Sequence, residues 1–362
     1  MQSFVFVLHR FQFGGVESVF LNLATNLPNK VFYLITVNND INVELEQKLP
    51  PNVTFLDRGE THLSLKNIAI QSLRVKRKLQ NLQVTPIFFI NFSDNLSSLL
   101  LMTLLSPQAK RVSWCHCNPD WLKNSRSFLL YKLLLQTCST IVCICEQQSI
   151  NLGKLIPNLK EKIIIIPNQL NLLEIEKKLA LPNVSEEYNY ILMVARFDER
   201  SKDFPTLINA YANLPITLKA KHKLVLVGDG EDLPKMRDLV ISKDLSDYVV
   251  FVGNSNNPYQ WMKNCELFVL SSKSEGSPMV IFEAMYCDSP IIASDCQVGP
   301  SDLLQGGKYG RLFDVGNATQ LNQHMIDLLN NEKHRNQLKV LSKQRALQIQ
   351  NVANTSLQRF FG

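Results

Sequence analysis

Short apolar runs alternate with longer amphipathic segments along the whole chain. Several of these runs are continuous in Val, Ile, Leu and Phe, which is typical of strands covered on both faces of a parallel sheet. The segments between them are long enough to form crossover helices. The predicted strands are 4–8, 31–37, 87–90, 141–144, 163–166, 190–194, 223–227, 249–252, 267–270 and 290–293. The predicted helices are 17–27, 65–81, 125–136, 203–213, 233–243, 278–286 and 318–330.

Ten strands within 362 residues suit two sheets better than one. A stretch that carries charge and the breakers Pro182 and Asn183 interrupts the pattern before the strand at Tyr190 restarts it. The sequence therefore predicts an α/β protein of two Rossmann-like parallel-sheet domains, at 1–168 and 190–340, with a linker at 169–189. The segment 341–362 has a helical pattern and no further strand, and packing against the first domain is one option for it.

Composition narrows the class of protein. With 45% apolar and 19% charged residues, the chain is neither disordered nor fibrous. No stretch reaches the roughly 18–20 apolar residues that a membrane span requires, since the candidates at 99–105 and 128–144 are short or are interrupted by Lys132. Eight scattered cysteines and no leader-like segment favour free thiols in a reducing compartment. We expect a soluble, cytoplasmic protein.

The net charge of +6 is unevenly distributed. Residues 1–170 hold 17 basic and 10 acidic side chains, whereas residues 171–362 hold 21 and 22. A basic first half can meet anionic lipid, an acidic saccharide or nucleic acid, or it can consist of ordinary solvated helix faces. The cations concerned are Arg74, Lys76, Arg77, Lys78, Lys110, Arg111, Lys123, Arg126 and Lys132.

Three turns that follow predicted strands could contact a ligand, because ligands of open α/β sheets bind beyond the carboxyl ends of the strands. Gly14-Gly15 precedes a helix, whose first N–H groups can bind an anion. Arg196 and Lys202 flank a helix start and suit a diphosphate, although they could equally be solvated surface cations. A third turn carries Gly228 and Gly230 but has Leu233 where a dinucleotide fingerprint has its third glycine, which disfavours a dehydrogenase.

A fourth turn, 274–284, carries two carboxylates. Ser277 is predicted as an N-cap and Pro278 as the first helical residue, so Glu275 lies in the loop and Glu283 within the helix. A loop carboxylate at a helix mouth can accept hydrogen bonds from sugar hydroxyls, while Glu283 could bind a ribose. Alternatively, Glu275 is a capping-region carboxylate and Glu283 a solvated helix residue.

His116 lies between two cysteines, but a zinc site is disfavoured. On a strand, His116 would point away from Cys115 and Cys117, and zinc sites use longer offsets between their cysteines. His116 is therefore either a core histidine or an active-site group at a strand end. The chain has no Asp-x-Asp pair, Asp229-Gly-Glu231 being the nearest pattern, so we expect no metal site.

The spacing of Glu275 and Glu283 resembles the E-x7-E element of the retaining GT-B glycosyltransferases of family 4. Further similar segments occur in the same order along nearly the whole chain. They are Gly14-Gly15-Val16-Glu17, Ile166-Pro167-Asn168, Val194-Ala195-Arg196 with Lys202, Val227-Gly228-Asp229-Gly230, Val250-Phe251-Val252-Gly253, Cys296-Gln297-Val298-Gly299-Pro300 and Tyr309-Gly310. The sequence departs from the family at Asp203 and Gln169, where glycine is usual, and in the cysteines around His116.

The resemblance implies roles for individual residues. Arg196 and Lys202 would hold the nucleotide diphosphate and steady the leaving group, Glu275 would contact the donor sugar, and His116 would lie on the acceptor side. Glu283 would bind the ribose. The implied donor-binding set is Gly14, Gly15, Gly228, Gly230, Val252, Gly253, Gly276, Ser277, Pro278, Met279, Val280 and Glu283.

The resemblance also implies the reaction. The expected activity is metal-independent transfer of a hexose or N-acetylhexosamine, with retention, from a nucleotide-diphosphate sugar, UDP-linked by preference. The acceptor would be a glycan of lipopolysaccharide, capsule or lipid-linked type, reached by peripheral association with an anionic membrane surface. No cofactor and no nucleic-acid partner are expected. A nucleotide-sugar epimerase of GT-B fold and a non-catalytic glycosyltransferase-like subunit stay open as alternatives.

Overall fold

The computed structural model describes residues 2–119, 127–182 and 188–362. It divides into two compact units. The first comprises Met1–Asn171 together with Ala353–Gly362, and the second comprises Leu172–Val352.

In the described part of the chain, seven parallel strands form the sheet of the first unit. They are β1 (Ser3–Leu8), β2 (Val31–Thr36), β3 (Val53–Arg58), β4 (Phe88–Asn91), β5 (Arg111–Cys115), β6 (Thr140–Cys143) and β7 (Ile163–Ile165). Their order across the sheet is β3-β2-β1-β4-β5-β6-β7. β1 pairs with both β2 and β4, and all its residues are buried, which explains its nearly continuous apolar sequence.

Six helices of the first unit connect these strands among the described residues. They are α1 (Gly15–Asn26), α2 (Val43–Gln47), α3 (Leu65–Asn81), α4 (Leu96–Leu105), α5 (Phe128–Gln136) and α6 (Glu146–Leu155). Both α3 and α4 begin at a side-chain cap: Ser64 accepts a hydrogen bond from the backbone N–H of Asn67, and Asn95 accepts one from Ser97. The bounds predicted for this helix, 65–81, agree with those of α3 in the structure.

The second unit repeats the plan with a six-stranded parallel sheet, counted over the residues that the structure describes. Its strands are β8 (Asn189–Val194), β9 (His222–Val227), β10 (Val249–Gly253), β11 (Leu267–Leu270), β12 (Ile291–Ser294) and β13 (Arg311–Phe313), in the order β10-β9-β8-β11-β12-β13. Its helices are α7 (Leu172–Leu179), α8 (Phe204–Ala212), α9 (Ile216–Lys221), α10 (Leu233–Ser242), α11 (Pro258–Asn264), α12 (Met279–Tyr286), α13 (Pro300–Leu304), α14 (Ala318–Leu329) and α15 (Glu332–Phe361).

Three strands are absent from the predicted set because their sequences are not continuous apolar runs. β3 is an edge strand that is only partly buried and ends in Asp57 and Arg58. β5 begins at Arg111 and carries Ser113, whose hydroxyl accepts a hydrogen bond from the Asn91 side chain. β13 is an edge strand of three residues. Polar side chains and edge positions thus hide strands from a search for apolar runs.

Two segments differ from the predicted domain scheme. The stretch 169–189, predicted as a linker, contains α7, which belongs to the second unit. The final helix begins at Glu332 rather than near 341, and its last residues join the first unit. There, the ring of Phe361 lies 4.8 Å from that of Phe4, edge to face.

The described chain has no helix that is long and apolar enough to cross a membrane. All eight cysteines are free thiols.

Candidate functional site

The loops that follow β8 and β9 lie against each other at the carboxyl edge of the second sheet. The backbone N–H of Phe197 donates to the carbonyl of Asp229 at 3.0 Å. A Cβ atom at Gly228 would lie 2.0 Å from the carbonyl oxygen of Ala195, and one at Gly230 would lie 2.3 Å from that of Phe197. Gly228 also has φ +137°. Both positions therefore require glycine for the packing of the loops, whether or not a nucleotide binds there.

The structure brings together two of the predicted catalytic residues, Lys202 and Glu275. The Lys202 ammonium donates to Oε1 of Glu275, and the two side chains are only 18% and 10% exposed. The hydroxyl of Ser272 donates to the same oxygen at 2.6 Å. Ser272 is itself fixed, because its backbone N–H donates to the Ser294 hydroxyl at 2.8 Å. An ammonium and a carboxylate are thus held in place beyond the ends of β8 and β11.

Arg196 lies exposed in the loop after β8, next to a group of carboxylates. The neighbouring Arg200 donates to both oxygens of Asp198, at 2.7 and 2.9 Å, and pairs with Glu231 at 2.9 Å. These hydrogen bonds, with a smaller contribution from the charge of Arg196, hold the pKa of Asp198 below its usual value. The loop around Arg196 is thus ordered by charge pairs on its outer side.

Asp198, Glu231 and Asp232 bring carboxylate oxygens within 4.8 Å of one another, a cluster that the sequence pattern did not reveal. Asp198 and Asp232 are far apart in sequence, so no short motif contains them. Arg200 uses both oxygens of Asp198, and Asp232 accepts a hydrogen bond from the backbone N–H of Glu199 at 2.7 Å. Oxygens engaged in this way fit an ion-paired loop better than a metal site, and the absence of a metal requirement stays a prediction.

The loop before α12 differs by one residue from the predicted capping. Pro278, not Ser277, occupies the N-cap position, and no side chain caps the helix. The loop is packed tightly from behind: a Cβ atom at Gly299, which has φ +100°, would lie 2.5 Å from the carbonyl oxygen of Gly276. The mouth of α12 therefore has a fixed shape and leaves its first N–H groups without a side-chain acceptor. Met279 and Val280, both partly exposed, are the first two residues of this helix.

Glu283 lies within α12 and is half-buried. Burial raises the pKa of its carboxyl to about 7, and the charge of Lys178 on α7 lowers it only in part. Glu283 in turn contributes to the raised pKa of Tyr259, which places its carboxyl near that phenol. Glu283 is therefore only partly solvated, and its role in binding a ribose stays a prediction.

In the first unit, Gly14 and Gly15 begin α1. Gly14 is the N-cap and has extended backbone, with φ −171°. A Cβ atom at Gly14 would meet only the end of the Glu17 side chain, and one at Gly15 would meet nothing within 4 Å. In contrast to the pair in the second unit, neither glycine is required by its own packing.

His116 follows β5 and is buried. Its ring lies 4.4 Å from that of Phe92, and its Nε2 has no hydrogen-bond partner among the described residues. Burial lowers the pKa of His116 to about 3, so the ring is neutral. The backbone N–H groups of His116 and Cys117 both donate to Oδ2 of Asp94 at 2.7 Å. Burial raises the pKa of Asp94 to about 6 despite these two hydrogen bonds.

Comparison with known proteins identifies a family for the second unit. Residues 174–345 match the model of the glycosyl transferases group 1 family. An N-acetylgalactosamine-N,N'-diacetylbacillosaminyl-diphospho-undecaprenol 4-alpha-N-acetylgalactosaminyltransferase of Campylobacter jejuni is 27% identical over 96% of this chain and 95% of its own. Residues 174–345 belong to the group 1 glycosyltransferases.

Solved structures of glycosyltransferases share the fold. HepE of Anabaena, in complex with UDP and glucose, superimposes with a TM-score of 0.78 over 99% of both chains, at 16% identity. The lipopolysaccharide outer core galactosyltransferase WaaB, in its apo form, gives 0.74 over 100% of this chain and 99% of that one, at 17% identity. The predicted GT-B fold of two Rossmann-like domains and the predicted glycosyltransferase family are confirmed. The retaining outcome and the placement in family 4 stay predictions.

The structure also shows what Asp203 and Gln169, the two departures from the family pattern, contact. Asp203 is the N-cap of α8, where its side chain accepts hydrogen bonds from the backbone and hydroxyl of Thr206 at 3.2 and 2.7 Å. Gln169 joins two helices of the first unit: its side chain accepts a hydrogen bond from Asn26 of α1 and donates one to Asn354 of α15 at 2.6 Å. Both residues thus have structural partners that a glycine would lack.

Several cations of the basic first half bind groups within the first unit. Arg74 and Lys78 pair with the buried carboxylate of Asp57 at 2.8 Å. Lys110 and Arg111 donate to backbone carbonyls. Lys123 and Arg126 lie outside the described residues. Lys76, Arg77 and Lys132 form no side-chain hydrogen bond or ion pair within the described chain. The number of cations available to a partner is therefore smaller than the sequence indicates.

Proposed function

We propose that this protein is a retaining, metal-independent glycosyltransferase that uses a UDP-linked hexose or N-acetylhexosamine. The observation that carries the proposal is the Lys202–Glu275 pair beside the mouth of α12, with the Glu283 carboxyl farther along the same helix. A pyrophosphate is bound by fixed positive charge. The hydroxyls of a sugar and of a ribose are bound by carboxylates, which accept their hydrogen bonds. These three groups occur together in the second unit.

The proposed reaction uses the pair by exchange of partners. When the donor binds, the Lys202 ammonium exchanges its ion pair with Glu275 for one with the diphosphate. The freed oxygen of Glu275 then accepts a hydrogen bond from a hydroxyl of the donor sugar. As the anomeric C–O bond breaks, its electron pair moves to the departing phosphate oxygen. Arg196, Lys202 and the N-terminus of α12 stabilise that growing charge more strongly than the ground state. The acceptor oxygen then bonds to the anomeric carbon, and its proton passes to the departing phosphate, as the resemblance implies.

The names of the relatives support the substrate class. The Campylobacter protein is named for transfer of N-acetylgalactosamine to a sugar on diphospho-undecaprenol, and WaaB for galactosyl transfer to the lipopolysaccharide outer core. We infer an acceptor glycan of lipid-linked, lipopolysaccharide or capsule type for this chain as well. Such an acceptor lies at a membrane, so we propose peripheral association with the inner face of the plasma membrane.

A panel of nucleotides and nucleotide sugars tests the proposal. UDP and one UDP-sugar should raise the melting temperature, and the same sugar nucleotide should be slowly hydrolysed with EDTA present. Recovery of the sugar as an epimer, with donor alone, would favour the epimerase alternative. Stabilisation without turnover, even with lipid-linked acceptors, would favour a binding subunit. A complex in which UDP lies far from Arg196 and Lys202 would refute the assignment.

A further inference from the structure

Three neighbouring helices form one outer surface of the first unit. α3 packs against α4, and α4 packs against α5. Their inner sides share one buried core with the sheet, to which Val75 of α3, Met102 of α4 and Leu135 of α5 contribute. We call the outward surface of these helices the α3–α5 face.

The α3–α5 face exposes large apolar side chains. On α5, Leu129, Leu130 and Leu133 are spaced at i, i+1 and i+4, so they form one stripe, opposite the buried Tyr131 and Leu135. Their exposed fractions are 68%, 45% and 52%. The other exposed apolar residues of these helices are Leu65, Ile70 and Leu73 on α3 and Leu104 on α4. Large apolar side chains exposed together on neighbouring helices often mark an interaction site.

The charges of the α3–α5 face all have one sign. The three helices contain six cations and no Asp or Glu. Arg74 and Lys78 are engaged by Asp57, as described above. The remaining cations are Lys66, Lys76, Arg77 and Lys132, which form no side-chain hydrogen bond or ion pair with any described residue.

The helices of the second unit lack this combination. Their exposed apolar residues are mostly single, such as Leu173 on α7, Ile216 on α9 and Ile241 on α10. The longest helix, α15, carries three over 30 residues and also begins with Glu332. Exposed leucines beside unpaired cations, without any carboxylate, are thus a property of the α3–α5 face and not of the chain in general.

We propose that the α3–α5 face docks on an anionic membrane surface. The leucines of α5 enter the boundary between headgroups and acyl chains, while Lys66, Lys76 and Arg77 bind lipid phosphates. The apolar stems of these cations can lie along the same boundary. An acidic protein would suit the cations but not the leucine stripe, and a second copy would bring like charges together. The inference rests on the proposed function, because a lipid-linked acceptor supplies the reason to dock.

Co-sedimentation of the full chain with vesicles tests this surface. The vesicles are phosphatidylcholine alone, or phosphatidylcholine mixed with phosphatidylglycerol. We expect binding to the anionic vesicles only. Lys66→Gln, Lys76→Gln and Arg77→Gln in one variant should weaken it by on the order of 10²-fold, at about 1 kcal/mol for each cation.

A second triple variant separates apolar insertion from charge. Leu129→Ser, Leu130→Ser and Leu133→Ser should weaken binding to anionic vesicles at least about tenfold. The matched control replaces three leucines or isoleucines of similar exposure in the second unit by serine: Leu173, Ile216 and Ile241. The control should bind as the wild type does. Circular dichroism and melting temperature verify that all variants are folded.

Three results would overturn the proposal. They are equal binding to both kinds of vesicle, equal loss in the control variant, and full binding by the leucine variant. A dimer in vesicle-free buffer that dissociates in the leucine variant would show that a second copy covers the face, which would also overturn it. UDP-induced stabilisation reports separately on the proposed function: if UDP fails to bind the wild type while vesicles bind, only the proposed function fails.

Discussion

Both units place glycines beyond the carboxyl ends of their strands, but the surroundings of these glycines differ. In the second unit, Gly228 and Gly230 face backbone carbonyls at distances that no Cβ atom tolerates. In the first unit, Gly15 faces open space. A glycine that packing requires says little about a ligand. A glycine that packing does not require is a better candidate for close approach by a ligand.

The two units also treat charge differently. In the second unit, Lys202, Glu275 and Arg200 form ion pairs in the loops of the candidate site. In the first unit, His116 is neutral, and Asp94 accepts hydrogen bonds from the backbone N–H groups of His116 and Cys117 and from the Cys117 side chain. Under the proposed function, the second unit would provide the electrostatic stabilisation, while the first would present a neutral histidine next to a buried carboxyl group.

Removal of one cation should produce the largest effect. Arg196→Ala and Lys202→Ala should each reduce turnover by on the order of 10²–10³, because each removes fixed charge from the departing diphosphate. Arg200→Ala is the matched control, since Arg200 lies in the same loop but binds Asp198 and Glu231. Steady-state kinetics with the donor found by the nucleotide-sugar panel measures all three. Equal losses for Arg196 and Arg200, with folding unchanged, would contradict the roles proposed.

The glycine comparison can be tested by adding a single methyl group. Gly228→Ala should lower the free energy of unfolding by about 3 kcal/mol or more, because the Cβ atom overlaps a backbone carbonyl and φ is positive. Gly15→Ala should leave stability within about 0.5 kcal/mol, since alanine suits a first helical turn. Urea unfolding measures both. If Gly15→Ala weakens UDP affinity without a loss of stability, Gly15 has a role in binding; unchanged affinity would remove it from the donor-binding set.

The fold class and most buried strands were predictable from the sequence, because the central strands of a parallel sheet are buried on both faces and have continuous apolar sequences. It missed β3 and β13 at the sheet edges, where solvent on one side permits polar residues. The spacing of Glu275 and Glu283 located the candidate site. No sequence pattern predicted the contacts of Ser272 with Ser294 or of Asp94 with His116, because the residues of each pair are 22 positions apart and meet only in the folded chain.

Capping was predictable to within one residue. Ser277 has good N-cap chemistry, but the structure assigns the N-cap to Pro278 and leaves the helix mouth without a side-chain acceptor. The N-cap preference of serine does not include the packing of Gly299 against Gly276, which fixes the shape of the loop. The shape of the site thus depends on a contact between residues more than twenty positions apart.

Asp94 offers a test of the surroundings of His116 in the first unit. Asp94→Ala should cost about 1–3 kcal/mol, because two backbone N–H groups lose their acceptor. Asp94→Asn keeps an acceptor oxygen and should cost less. Since burial raises the pKa of Asp94 to about 6, wild-type stability should fall as pH rises from about 4 to 6, and this slope should be weaker in the Asn variant. Urea unfolding at several pH values measures it; equal damage by Ala and Asn would show that the acceptor oxygen is not what matters.

Glu283 should give the smallest effect, with opposite signs for stability and binding. Burial raises the pKa of Glu283 to about 7, above the usual value of 4.5 for a glutamate. At low pH the carboxyl of Glu283 is protonated in the folded and in the unfolded chain. Between about pH 4.5 and 7 it is ionised in the unfolded chain but still protonated in the folded one. Stability is therefore lost as pH rises through this window, and the loss persists above pH 7. Glu283→Gln removes this loss of stability. The free energy of unfolding of the variant should therefore match that of the wild type near pH 4.5 and exceed it by about 1–2 kcal/mol near pH 8.

The same substitution should weaken UDP binding about tenfold near pH 8, because an amide oxygen accepts more weakly than a carboxylate. Wild-type affinity should decline as pH falls below 7, where the carboxyl becomes protonated. The affinity of the variant should decline less, because only the terminal phosphate of UDP, with a pKa of about 6, then titrates. Calorimetric titration across pH measures this, and Asp327→Asn on the exposed side of α14 is the control. A variant that loses stability near pH 8, or binds UDP as tightly as the wild type, would show that Glu283 has a structural role only. Gain of stability together with loss of affinity is the result expected of a carboxylate kept in the interior for a ligand.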